Sequence, residues 1–214
     1  MCFNYKISLL TFLIGLIFSI LLIKCGNNKY KLENISFGIW LIFIAFIQFM
    51  DFLFWIDLSN KLNINKITSI LGPILNVCQP LILFFIKILV YKPKIDKLNY
   101  YDYIVILLNA LYFIHFIYIY IKYLTNEELI TTVKNGHLSW PWLKYSNSIF
   151  YLILLAINIF YLSKFSYSLL FFVITYIFLC ISAKYFYYNS GELWCFFGSF
   201  IPLILYFLSF LIEN

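Results

Sequence analysis

Seven stretches of this chain are long and apolar enough to cross a bilayer, over residues 7–23, 37–58, 67–91, 103–121, 147–162, 167–187 and 194–212. Each approaches the ~20 residues that a hydrocarbon core demands, 147–162 being the shortest. Lipid offers no partner to backbone N–H and C=O groups, so such stretches must be helices. The expected fold is therefore all-α, a polytopic membrane bundle of seven transmembrane helices forming a single domain, 1–214. The alternative, a soluble fold, fails on composition. With 64% hydrophobic residues, 11% charged residues and a mean hydropathy of +0.92, too much apolar surface would face water. The first span follows Lys6 but outruns a signal-peptide core, and no A-x-A site follows it, so it reads as a retained helix.

All fifteen basic residues are Lys, spread through the loops, and give a formal net charge of +6. No dense basic run marks a nucleic-acid arm; the expected contact is with the lipid bilayer, Lys at helix ends reaching for headgroups. Aromatic residues make up 23% of the chain. They accompany abundant Ile, Asn and Lys, a set sharing A/T-rich codons, and are not read as a binding surface. The five cysteines, Cys2, Cys25, Cys78, Cys180 and Cys195, lack CxxC spacing and suggest neither a metal site nor a disulfide framework. No cofactor is expected.

An odd number of spans puts the termini on opposite sides, here called end A (N-terminal) and end B. The short early loops carry Lys24, Lys29 and Lys31 on end B, which makes that end cytoplasmic and the N-terminus outside or lumenal. Residues 124–146 form the longest loop, at end A. Within it Asn135-Gly136 separates two β-prone runs, which predicts a small β-hairpin, because both residues tolerate positive φ. Trp140-Pro141-Trp142 then returns the chain to the membrane interface, where indole rings are at home.

Polar side chains at membrane depth must face the bundle interior. In the second span Gln48, Asp51 and Trp55 share one face by their spacing. In the third, Asn76 and Gln79 follow Gly72-Pro73 and precede Pro80, so that span should be kinked, with freed carbonyls beside the two amides. Gln48 and Gln79 fall near mid-depth. Asp51, Asn76 and His115 lie about one turn towards end A, as do Ser182 and Ser199, while Asn109 and Asn158 lie towards end B. The expectation is a polar cavity opening at end A, with His115 the titratable group at the depth of Asp51. At its mouth stand His137, Trp140, Trp142 and Glu192, with Asp57 close by. Two ligands do not make a metal centre, so the metal set is empty.

Pro80-Leu-Ile-Leu-Phe-Phe and Pro202-Leu-Ile-Leu-Tyr-Phe recur four spans apart, as a 3+1+3 parallel repeat would require. The pattern Gln48-x-x-Asp51-x-x-x-Trp55, Asn76-x-x-Gln79-Pro80, Gly136-His137-Leu138-x-Trp140-x-Trp142 and Leu193-Trp194-Cys195 resembles a family of uncharacterised multi-pass membrane proteins of giant DNA viruses and some algae. The resemblance covers spans two to seven. It implies a host or virion membrane and no mechanism; Asp stands at 51 where Glu is expected. A retinal protein is disfavoured because the last span has no Lys, and HExxH and GxSxG are absent. PQ-loop proteins carry Pro-Gln rather than Gln79-Pro80. Three functions stay open. The first is a small-solute or proton-linked transporter or channel lined by Gln48, Asp51, Asn76, Gln79 and His115. The second is a non-catalytic membrane component whose hairpin binds a protein partner. The third is a seven-helix lipid hydrolase using Asp51, His115, Ser182 or Ser199. Substrate, oligomeric state and partner identity are not written in the sequence.

Overall fold

In the computed structural model, residues 4–91, 99–125, 129–134, 136–145, 148–185 and 190–211 are described. The helices are α1 (Tyr5–Cys25), α2 (Lys31–Ile56), α3 (Ile64–Val77), α4 (Gln79–Tyr91), α5 (Tyr100–Leu124), α6 (Ser148–Phe160), α7 (Phe165–Tyr185), α8 (Ser190–Gly198) and α9 (Ile201–Leu211). Strands β1 (Thr132–Lys134) and β2 (His137–Ser139) form the only sheet among the described residues.

Four helical stretches are long and apolar enough to cross a membrane: Tyr5–Cys25, Asn28–Ile56, Tyr100–Leu124 and Phe165–Tyr185. The third expected span is a pair, Ile64–Val77 and Gln79–Tyr91, bent by 57°; counted as one crossing it makes five. The bend in the third span was expected from its prolines; among the described residues four or five of the seven expected spans are thus seen as long apolar helices. The stretch read as 147–162 gives a 13-residue helix, α6. The stretch read as 194–212 is interrupted after Gly198, leaving the 11-residue α9. Hydropathy registers apolar residues and is blind to breaks that keep them apolar.

Helix α1 buries Ser8, Thr11, Gly15, Ser19 and Leu22. Their spacing of three and four puts small side chains on one face, the kind that lets helices approach closely, and α1 packs on α2 and α9. Helix α2 is the central element, touching α1, α3, α4, α8 and α9. Its buried positions include Trp40, Ile44, Ile47, Gln48, Asp51 and Phe54. One apolar cluster gathers at end A around Phe54, Val77, Tyr112, Trp140 and Trp142. A second gathers towards end B around Phe37, Trp40, Tyr167, Phe171 and Leu205.

The break between α3 and α4 is closed by side chains from other helices. Pro73 has no N–H to offer the Ser69 carbonyl four residues back; the Tyr123 hydroxyl donates to it instead at 3.0 Å. Tyr112 Oη donates to the Val77 carbonyl at 2.9 Å, Trp40 Nε1 to the Gln79 carbonyl at 2.8 Å and Asn158 Nδ2 to the Pro80 carbonyl at 2.9 Å. The carbonyls of Ser69, Val77, Gln79 and Pro80 are thus capped, as buried backbone must be. Asn109 and Asn158 also exchange amide hydrogen bonds, at 3.1 and 2.9 Å.

The hairpin forms where expected. Thr132 pairs with Ser139, Val133 with Leu138 and Lys134 with His137. Gly136 takes φ +77°, which the absence of a Cβ permits. Asn135 lies outside the described residues.

Candidate functional site: the polar layer beneath the hairpin

Helix α2, helix α3 and the strap that carries the hairpin meet at one buried layer. Thr131, just before β1, exchanges hydrogen bonds with Asn65 of α3, its N–H and carbonyl each 2.9 Å from the Asn65 amide. Its hydroxyl lies 2.9 Å from that of Ser69. Asp57 closes the α2–α3 turn by accepting the N–H groups of Leu62 and Ile64. Asp57 is thus engaged as a cap of the backbone between α2 and α3.

With its start fixed to α3, the strap drives Trp140 and Trp142 into the bundle. Their rings stack at 5.2 Å between centroids and 17° between planes, and both are about 2% exposed or less. They are therefore not interface anchors. Trp140 Nε1 donates to Asp51 Oδ1 at 3.1 Å, and Trp142 Nε1 to Asn76 Oδ1 at 3.4 Å. Asn76 Nδ2 in turn reaches Cys195 Sγ of α8 at 3.7 Å. Room for Trp142 comes from Gly72, since a Cβ there would stand 2.3 Å from the indole ring.

Gln48, Asp51 and Gln79 are 0–1% exposed. Gln48 Oε1 lies 3.2 Å from the Thr11 hydroxyl of α1, a contact that the sequence reading missed because Thr11 sits in an otherwise apolar run. Gln79 Oε1 accepts the Tyr151 hydroxyl of α6, whereas Gln79 Nε2 has no partner among the described residues. It lines a void of about 10 Å³ shared with Trp40, Trp194, Cys195, Gly198 and Ile201, room for about one water. The indole N–H of Trp194 is also without a partner there.

The remaining expected residues are placed differently. His115 packs against Tyr112 and Phe150, with ring centroids at 6.3 and 5.7 Å, and its Nε2 has no partner among the described residues. The partner seen for Asp51 is Trp140 in its place. Trp55 packs on the edge of the end-A cluster, and its indole N–H has no partner among the described residues. His137 lies in β2, partly buried, which pushes its imidazole below the ordinary value. The side chain of Glu192 lies outside the described residues. Ser182 donates to the Phe178 carbonyl and Ser199 to that of Cys195, each within its own helix, so neither is set up as a nucleophile beside His115. No group of three metal-ligating side chains occurs among the described residues.

The expected opening at end A is filled by the two indoles. The open polar cleft lies at the other end, about 310 Å³ between residues 28–33, Tyr91 and the α6–α7 turn. Near it lies Lys87, in the last turns of α4. It is fully buried and donates to the carbonyls of Ile159 (2.5 Å) and Tyr161 (2.9 Å). It thus caps the negative end of α6. Glu33, 3% exposed, accepts the Lys164 N–H at the positive start of α7. Each side chain thus holds one side of the tight α6–α7 turn, where Leu162 adopts φ +61°.

The chain matches no protein-family model, no curated protein and no solved structure.

Proposed function

We propose that this is an integral membrane protein that moves a small solute, or couples one to protons, with its path closed at end A by the Trp140–Trp142 strap. The observation that carries this reading is the meeting of two helix interruptions at one point. Helix α4 opens Gln79-Pro80-Leu-Ile-Leu directly after one break, and α9 opens Ile201-Pro202-Leu-Ile-Leu directly after the other. Gln79, Gly198 and Ile201 line the same small void. Interrupted helices that face each other at mid-depth are how transporters build solute sites from backbone that lipid would not tolerate.

In this reading α3/α4 and α8/α9 are single interrupted crossings and α6 a short one. The chain crosses seven times, with α1–α4 and α6–α9 as parallel repeats on either side of α5. The N-terminus is outside and the C-terminus cytoplasmic. Asp51, Asn76 and the two indoles form the gate; Gln79 and Gln48 lie on the path below. The lipid bilayer is the surrounding partner, and the resemblance to viral and algal multi-pass proteins fits this architecture. A protein-binding role for the hairpin through Trp140 and Trp142 draws no support from two buried rings.

Uptake by proteoliposomes across a broad solute panel tests the proposal. Wild type should take up at least one solute, and Gln79→Leu and Asp51→Asn should each slow that uptake by about tenfold or more, as loss of a hydrogen-bonding or ionic contact implies. Unchanged uptake in both variants would sink it.

A further inference from the structure

The end-B cleft carries charge that the transport reading does not use. Lys29, Lys31 and Lys164 line it together with Glu33. The ammonium groups of Lys29 and Lys164 both lie over the ring of Tyr30, 5.6 and 5.2 Å from its centroid. Lys164 Nζ also donates to the Lys29 carbonyl, which draws the two residues together. Among the described residues none of these three lysines is in an ion pair. Glu33 is buried and accepts the Lys164 N–H, one carboxylate against three ammonium groups. Like charges gathered around one cleft repel unless an anion sits among them.

We infer that this cleft binds a phosphate group, held by Lys29, Lys31 and Lys164, presented either by an anionic lipid headgroup or by a soluble phosphate. Three ammonium groups suit a compact, multiply charged oxyanion, for which Lys acts as a point charge. About 310 Å³ suits a headgroup-sized ligand rather than a folded partner. The cleft stands at the helix ends, where a bilayer would place its headgroups; Phe165, 70% exposed beside Lys164, offers an apolar neighbour for an acyl chain. The soluble arm is independent of the transport reading.

The test uses the full chain purified in a neutral detergent. Native mass spectrometry compares retention of phosphatidic acid and phosphatidylcholine. Thermal unfolding compares inorganic phosphate with chloride at equal ionic strength. The variants are Lys29→Gln/Lys31→Gln/Lys164→Gln and, as the control at end A, Lys61→Gln/Lys66→Gln/Lys122→Gln. Wild type and control should prefer the acidic lipid by about tenfold or more, and the end-B triple variant should lose that preference. Lys31→Gln alone, which breaks no hydrogen bond of its side chain seen in the structure, should weaken it about threefold if the triple variant is unstable. A phosphate-specific stabilisation lost in the same variants marks a soluble ligand; lipid retention without it marks a headgroup. Equal retention of both lipids with no effect of phosphate, or equal losses in the end-A control, overturns the inference.

Discussion

Asp51 shows how one buried carboxylate can fix a loop that lies 89 residues away. Its oxygen accepts an indole N–H that no water can reach, so the bond matters chiefly through the cost of losing it. Asp51→Asn retains an oxygen acceptor and should be tolerated in stability. Asp51→Leu strands Trp140 Nε1 and should cost about 1–3 kcal/mol, read by unfolding in mixed micelles. Lys87 obeys a similar asymmetry. Lys87→Met leaves the buried Ile159 and Tyr161 carbonyls without their donor and should cost about 1–3 kcal/mol, read by the same unfolding. Stability equal to wild type would show that this cap does not hold the α6–α7 turn. Asp51 was legible as an inward-facing residue, because a carboxylate in the middle of an apolar span has nowhere else to go. Lys87 was not, because a lysine four residues from the end of a hydrophobic run reads as one that reaches the headgroups.

The elements repeat this contrast between chemistry that is local and chemistry that is not. The hairpin could be read from Asn135-Gly136 and the bend in the third span from its two prolines, since backbone preferences act over a few residues. The break between α8 and α9 sits at Ser199 and Phe200, just after Gly198, and no hydropathy window distinguishes those residues from a continuous helix. The destination of Trp140 and Trp142 was equally hidden. An indole beside a proline at a loop end satisfies the rule for an interfacial anchor, and only the hydrogen bonds of Thr131 to Asn65 and Ser69 aim the strap inward. Gly72 offers a direct check of that seat. Gly72→Ala places a methyl group where Trp142 lies, and Trp142 cannot retreat without unstacking from Trp140. The variant should shift tryptophan emission to longer wavelength as the indoles meet a more polar environment; emission identical to wild type would mean the strap is seated elsewhere.

At the scale of the whole molecule, the two interrupted helices, the amide layer and the strap make one unit. The strap lies on Asp51 and Asn76, Asn76 reaches Cys195, and Cys195 borders the void beside Gln79. The expected inward-facing polar layer is present as contacts between α2, α3, α6 and the strap. The expected cavity at end A is not, because the indoles fill it. Lifting the strap is the one rearrangement that would join this layer to end A, and Cys195 is a native reporter of it. The most direct measurement is the rate at which a hydrophilic maleimide labels Cys195, with Cys2, Cys25, Cys78 and Cys180 replaced by Ser, in this background and with Trp140→Ala added. Loss of the Asp51 bond and of the indole stack should open the layer and raise the rate about tenfold or more, slow labelling being the rule while the strap is seated. Equal rates in the two proteins would contradict the account, for the strap would then not be what closes the path.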